Sequence, residues 1–151
     1  MSVKARLAEL GLELPTVVKP LASYVPAVRT GNLVYTAGQL PMVDGALAGS
    51  GKVGAEVTPE RAAELARICA LNALAAVDAL VGIESVTRVV KVVGFVASAS
   101  GFTGQPSVVN GASQLLGDVF GEAGIHARSA VGVAELPLDA PVEVELIVEV
   151  G

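Results

Sequence analysis

Apolar and polar positions alternate along the last stretch of the chain. Val142, Val144, Leu146, Val148 and Val150 fall on one face of an extended segment, and Glu143, Glu145, Ile147 and Glu149 on the other. Residues 142–150 therefore read as a strand with one face in a core. Val86–Ala97 predicts a longer, Val-rich strand and His126–Glu135 another. Thr58-Pro59-Glu60 combines an N-cap residue, a proline at the first helical position and an acid in the first turn, which starts a helix running to about Val81 and ending at Gly82. Its polar residues Glu60, Glu64, Arg67 and Asp78 form a narrow stripe, so most of its girth must be covered. Residues 106–121 read as a second, shorter helix, and residues 2–10 carry Val3, Leu7 and Leu10 at helical spacing before Gly11. Val25–Thr30 and Leu33–Ala37, split by Gly31-Asn32, predict a hairpin whose first strand Pro26 directs to an edge. Residues 12–23 are a proline-punctuated connector, and 41–56, rich in glycine, a loop with at most a short strand. The turn 136–141 joins the last two strands.

This order, with helices and strands mixed and no internal repeat, predicts an α+β domain whose two main helices cover one face of a mixed sheet. At 151 residues there is room for one core: an N-terminal helix and connector over 1–23, then a single domain over 24–151. Hydrophobic residues make up 52%, with 26 Val and 24 Ala, which excludes disorder for most of the chain. So much apolar character requires either very apolar surfaces or faces buried against copies of the same chain, and the second is the expectation. The net charge of −5 disfavours nucleic acid and anionic membranes as partners, and no Lys/Arg cluster offers a local exception. The lone Cys69 cannot form an internal disulfide, and with a single histidine no multi-ligand zinc site can be built. No stretch reaches the ~18 apolar residues of a membrane helix, and Lys4, Arg6 and Glu9 interrupt any signal-peptide core. The expectation is a cytoplasmic protein.

Alternation on the strand near residue 130 places His126, Arg128, Ala130, Gly132 and Ala134 on one face. A guanidinium beside three small residues leaves space for a carboxylate, which arginine holds with two parallel hydrogen bonds. The other reading of Arg128 is an ordinary salt-bridge residue. Glu143, Glu145 and Glu149 are either a solvated strand face or a set of like charges that a cation would relieve. If the last two strands form a hairpin about Leu138-Asp139, Glu143 lies opposite Ala134 and Arg128 about 20 Å further along, at about 3.3 Å per residue. Arg128 and Glu143 then share a site only between subunits. His126 reads as a general base or as a structural residue; Cys69 as a core residue; Tyr24 and Tyr35 as core or pocket wall. No phosphate-binding glycine motif and no Ser/His/Asp triad is present.

Ala127-Arg128-Ser129 through Val131, Val133, Leu136-Pro137 and Val142-Glu143-Val144 resemble the C-terminal signature of the Rid proteins, the YjgF/L-PSP family. Tyr24 ahead of Val28, the run Gly31-Asn32-Leu33-Val34-Tyr35-Thr36-Ala37-Gly38-Gln39-Leu40-Pro41, and Val109-Asn110 on the second helix extend the resemblance over roughly residues 24–150. It implies a chorismate-mutase-like fold, a homotrimer with a barrel-like centre, and clefts between subunits. It also implies hydrolysis of reactive enamines and imines to 2-keto acids and ammonia, with no cofactor. Arg128 would bind the substrate carboxylate, Glu143 would position or activate water, and Tyr24, Gly38, Asn110 and Ala130 would line the pocket. The chain departs from the family's pattern at Ala37, where serine is usual, at His126, where proline is frequent, and at Ala130, where cysteine is common.

Three functions follow for comparison. The first is a cofactor-independent deaminase of 2-imino acids. The second is a non-catalytic relative binding a small carboxylate-bearing metabolite, as sensor or chaperone-like partner. The third, an endoribonuclease, is opposed by the acidic charge, the 3% aromatic content and the single histidine.

Overall fold

The Thr58 side chain accepts a hydrogen bond from the Arg61 amide at 3.1 Å, and Pro59 occupies the first helical turn, so the longest helix begins where its capping residues place it. It ends at Gly82, whose φ of 80° suits a residue without a Cβ. In this computed structural model, which describes residues 1–20 and 22–151, the element order is α1 (Val3–Glu9), β1 (Ala27–Thr30), β2 (Leu33–Thr36), β3 (Met42–Val43), β4 (Ala46–Leu47), α2 (Pro59–Val81), β5 (Val86–Ala97), α3 (Gln105–Phe120), β6 (Ala127–Val133) and β7 (Val142–Val150). Helix α3 starts one residue earlier than the spacing predicts, and the glycine-rich loop holds two two-residue strands that pair with each other.

The main sheet has the strand order β1-β2-β7-β5-β6. β1 lies on an edge, as Pro26 requires. Helices α2 and α3 pack on one face, against Val34, Val89, Val92, Val96 and the apolar side of β7. They approach each other closely at Gly111, where a Cβ would run into the Ala63 carbonyl. The opposite face carries Val28, Tyr35 and Val131, all exposed.

One expectation is overturned. β6 and β7 do not form a hairpin: β5 lies between them, antiparallel to β7 and parallel to β6. Parallel pairing needs a crossover, and α3 supplies it between β5 and β6. The segment after β6 then passes the end of β5, where the Ala97 amide donates to the Pro141 carbonyl at 2.9 Å, with Leu138 and Asp139 both at φ 60°. β7 prefers this central place because its apolar face is then buried between two neighbours instead of one.

Helix α1 docks at the far ends of α2 and α3. Its first amides, Val3 and Lys4, donate to the Glu84 carboxylate at 2.7 and 3.1 Å, and Arg6 Nε donates to the Asp118 carbonyl at 2.8 Å. Leu7 is buried beneath it. No helix among the described residues is long and apolar enough to cross a membrane.

Candidate functional site

Arg128 is paired with Val92 across the β5–β6 ladder, and Val92 is wholly buried on the helix side, so the guanidinium rises towards α3. There Nη1 donates to Asn110 Oδ1 at 2.8 Å and to Ser113 Oγ at 3.2 Å, and Nη2 donates to the Pro106 carbonyl at 3.3 Å. Among the described residues no carboxylate pairs with it. Ala130 continues the same face opposite Gly94, and Gly132 follows opposite Val96. The space expected beside these small residues is partly filled: a Cβ at Gly132 would sit 2.7 Å from Gln105 Nε2 and 3.0 Å from Ser98 Oγ, and one at Gly94 would run into the Val109 side chain.

His126 closes the network from behind. Its Nδ1 is 2.6 Å from the Gly124 carbonyl and its Nε2 is 2.9 Å from Ser113 Oγ. A carbonyl only accepts, so Nδ1 carries a proton and donates to it, which turns Nε2 to the Ser113 hydroxyl. The Ser113 oxygen is left to accept from Arg128. Both ring nitrogens are thus occupied in holding the arginine.

Glu143 lies opposite Phe95, between the fully buried Val142 and Val144, and so points from the other face of the sheet. A Cβ at Gly38 would sit 2.7 Å from its Cδ and Oε2, so only glycine leaves room for the carboxylate there. Burial pushes the Glu143 carboxyl above its ordinary range, and the like charge of Glu145 adds to the effect. No cation pairs with Glu143 among the described residues. Cys69 is buried, and that burial pushes its thiol well up, with Glu143's charge contributing; it is a core residue, not a nucleophile.

Gly38 also borders a cleft of about 690 Å³. Tyr24 and Pro26 line it too, the connector residues 13–20 contribute to it, and Leu40, Met42 and Asn72 belong to the rest.

The structure therefore gathers the sequence-predicted residues into two groups: Arg128, Asn110 and Ala130 on the helix side of the sheet edge, and Glu143, Gly38 and Tyr24 elsewhere. It does not unite the groups within one chain. Ser113 and His126 were not recognised as parts of the arginine site. The three-residue spacing of Asn110 and Ser113 on one helix face was the signal that points to Ser113.

A family model described as Endoribonuclease L-PSP matches residues 3–150. The chain is 44% identical over 151 residues to Protein TCP17 of Trypanosoma cruzi, covering 99% of this chain and 94% of TCP17. It superposes on the crystal structure of Atu1372 from Agrobacterium tumefaciens, a protein of unknown function, with a TM-score of 0.91 and 46% identity, covering 99% of this chain and 92% of that one. Against the YjgF gene product of Escherichia coli the TM-score is 0.65 and the identity 27%, with 89% and 98% of the two chains covered. The likeness to Atu1372 thus runs nearly the whole length, whereas YjgF leaves about a tenth of this chain unmatched.

Proposed function

The chain belongs to the YjgF/L-PSP family, and from that premise we propose that it hydrolyses reactive 2-imino acids to 2-keto acids and ammonia at clefts between the subunits of a homotrimer. The observation that carries this reading is a pair of unneutralised charges: Arg128 on one face of the sheet and Glu143 on the other, neither with an opposite charge beside it among the described residues. A second copy relieves both. The exposed Val28, Tyr35 and Val131 on the face away from the helices give that copy an apolar surface to cover.

Arg128, held by Asn110 and Ser113, grips the substrate carboxylate in this site, and Ala130 leaves it room. Glu143 of the partner subunit orients a water molecule towards the C=N carbon; Gly38 and Tyr24 line the same side. Water adds, its proton passes through the carboxylate to nitrogen, and the carbinolamine expels ammonia to leave the 2-keto acid. An imine is already electrophilic, so holding it beside oriented water in a closed site supplies much of the rate. No step needs a cofactor, and the reaction belongs to the cytoplasm, where such intermediates arise.

The test is an assay that generates 2-aminoacrylate and follows pyruvate. Acceleration by the wild type, abolished by Arg128→Ala with the oligomer intact, supports the reading; equal activity in that variant defeats it. Ligand-dependent stabilisation without turnover would instead indicate a small-metabolite binder. The family's description also names an endoribonuclease; the net charge of −5 opposes RNA binding, and RNA cleavage lost in Arg128→Ala would favour that activity instead.

A further inference from the structure

Among the described residues Gln39 and Asn72 are two of the three buried polar side chains, 5% and 1% exposed, and both border the 690 Å³ cleft. Asn72 Nδ2 donates to the Leu40 and Met42 carbonyls at 3.1 and 3.0 Å. Those carbonyls only accept, which turns Asn72 Oδ1 the other way, where it has no partner among the described residues. Gln39 ties its backbone to Val144 at 2.8 and 3.0 Å, while its side-chain amide is likewise unpartnered. Neither amide is sealed in protein, since among the described residues no fully buried polar atom lacks a hydrogen bond. Both residues are among those that line the cleft.

We infer that this cleft is the side-chain subsite of the proposed reaction centre, and that it selects 2-imino acids with a long, uncharged side chain ending in a hydrogen-bonding group such as an amide or ureido. The inference rests on the deaminase reading. Gly38 touches both the Glu143 carboxylate and the cleft, so a substrate whose reacting carbon sits at Glu143 has its side chain directed past Gly38. Leu14, Pro15 and Val17 of the connector face Leu40 and Met42 as apolar walls. At the inner end Gln39 offers a donor and an acceptor and Asn72 an acceptor, with no charge. The charged lining residues Glu13, Lys19 and Asp44 are all exposed. A charged side-chain terminus would lose its hydration without gaining a counter-charge, whereas an amide or ureido group exchanges water for matched partners. A cleft of this volume far exceeds what an alanine-derived imine fills.

The experiment compares imines generated by an amino-acid oxidase from citrulline, arginine, norleucine and alanine, as acceleration over spontaneous hydrolysis. Calorimetry of the corresponding 2-keto acids gives a second, turnover-independent readout. The citrulline compounds are expected to lead the others by about tenfold in kcat/KM and in affinity. Gln39→Met should reduce the citrulline-to-norleucine ratio about fivefold, and Gln39→Glu should invert the citrulline-to-arginine preference, a gain that misfolding cannot mimic. Ratios within twofold in the wild type, or unchanged in both variants, overturn the subsite. Absent turnover with the binding preference intact overturns the deaminase reading and leaves the subsite standing.

Discussion

Arg128 and Glu143 project from opposite faces of one five-stranded sheet, separated across the ladder by β5, and each lacks an opposite charge among the described residues of its own chain. A site using both must draw them from different copies. Mixing Arg128→Ala subunits with Glu143→Gln subunits therefore restores function that neither variant has alone. In a cyclic oligomer with one site per interface, random mixing rebuilds about a quarter of the sites. Activity near a quarter of the wild type after co-refolding is expected; none would place both residues of a site on one chain.

The same arrangement sets the titration of Glu143. Burial and Glu145 raise its carboxyl above the ordinary range, and a neighbouring guanidinium would pull it back down. Carboxyl NMR should find Glu143 titrating above a normal glutamate in Arg128→Ala and lower in the wild type, with Glu145→Gln lowering it further in the Arg128→Ala background. In Arg128→Ala the folded state holds this proton more tightly than the unfolded chain, so stability falls as pH rises through the raised value. Adding Glu143→Gln should remove that slope. The reverse order of titration would separate Arg128 from Glu143.

In the proposed site His126 and Ser113 would act on a substrate only through Arg128. Each hydrogen bond in such a chain contributes about 0.5–1.5 kcal/mol, or about two- to tenfold in binding. His126→Phe and Ser113→Ala should raise KM within that range and leave kcat within about twofold, because the carboxylate grip loosens while the attacking water is untouched. His126→Gln, which keeps a donor and an acceptor, should recover most of the loss. A fall in kcat at constant KM would instead make His126 part of the chemistry.

The long elements were legible because their signals are local: Thr58-Pro59-Glu60 and Gly82 bound α2, and alternation marks β7 along its whole length. The pairing of β6 was not. Its turn-like exit at Leu138-Asp139 suits a hairpin, but the partner is decided by which neighbours bury the apolar face of β7, a long-range matter. Arg128, Glu143, Gly38, Tyr24 and Asn110 could be named from short motifs. The hydrogen bonds of His126 needed β6 beside α3, and the meeting of Gln39 and Asn72 at one cleft became visible only when connector and helix enclosed the same space.

The helix that leads into the cleft-walling connector is held by buried Leu7, by Arg6 on the Asp118 carbonyl and, at its first turn, by the Glu84 carboxylate. Glu84 accepts from the first two amides of α1, and those hydrogen bonds hold its carboxyl below the usual range. A carboxyl lowered on folding stabilises above its unfolded pKa, and that contribution disappears as pH falls through the folded value. Acidification from neutrality to below the ordinary glutamate range should therefore loosen α1 before the sheet opens. Hydrogen exchange is expected to rise over Val3–Glu9 while Val86–Ala97 stays protected, and Glu84→Ala should show the same loosening at neutral pH. Because Glu13 and Leu14 of the cleft wall follow α1 closely, Glu84→Ala should also weaken binding of the citrulline-derived 2-keto acid more than that of pyruvate. Equal weakening of the two would mean that α1 supports the body of the domain and not the cleft.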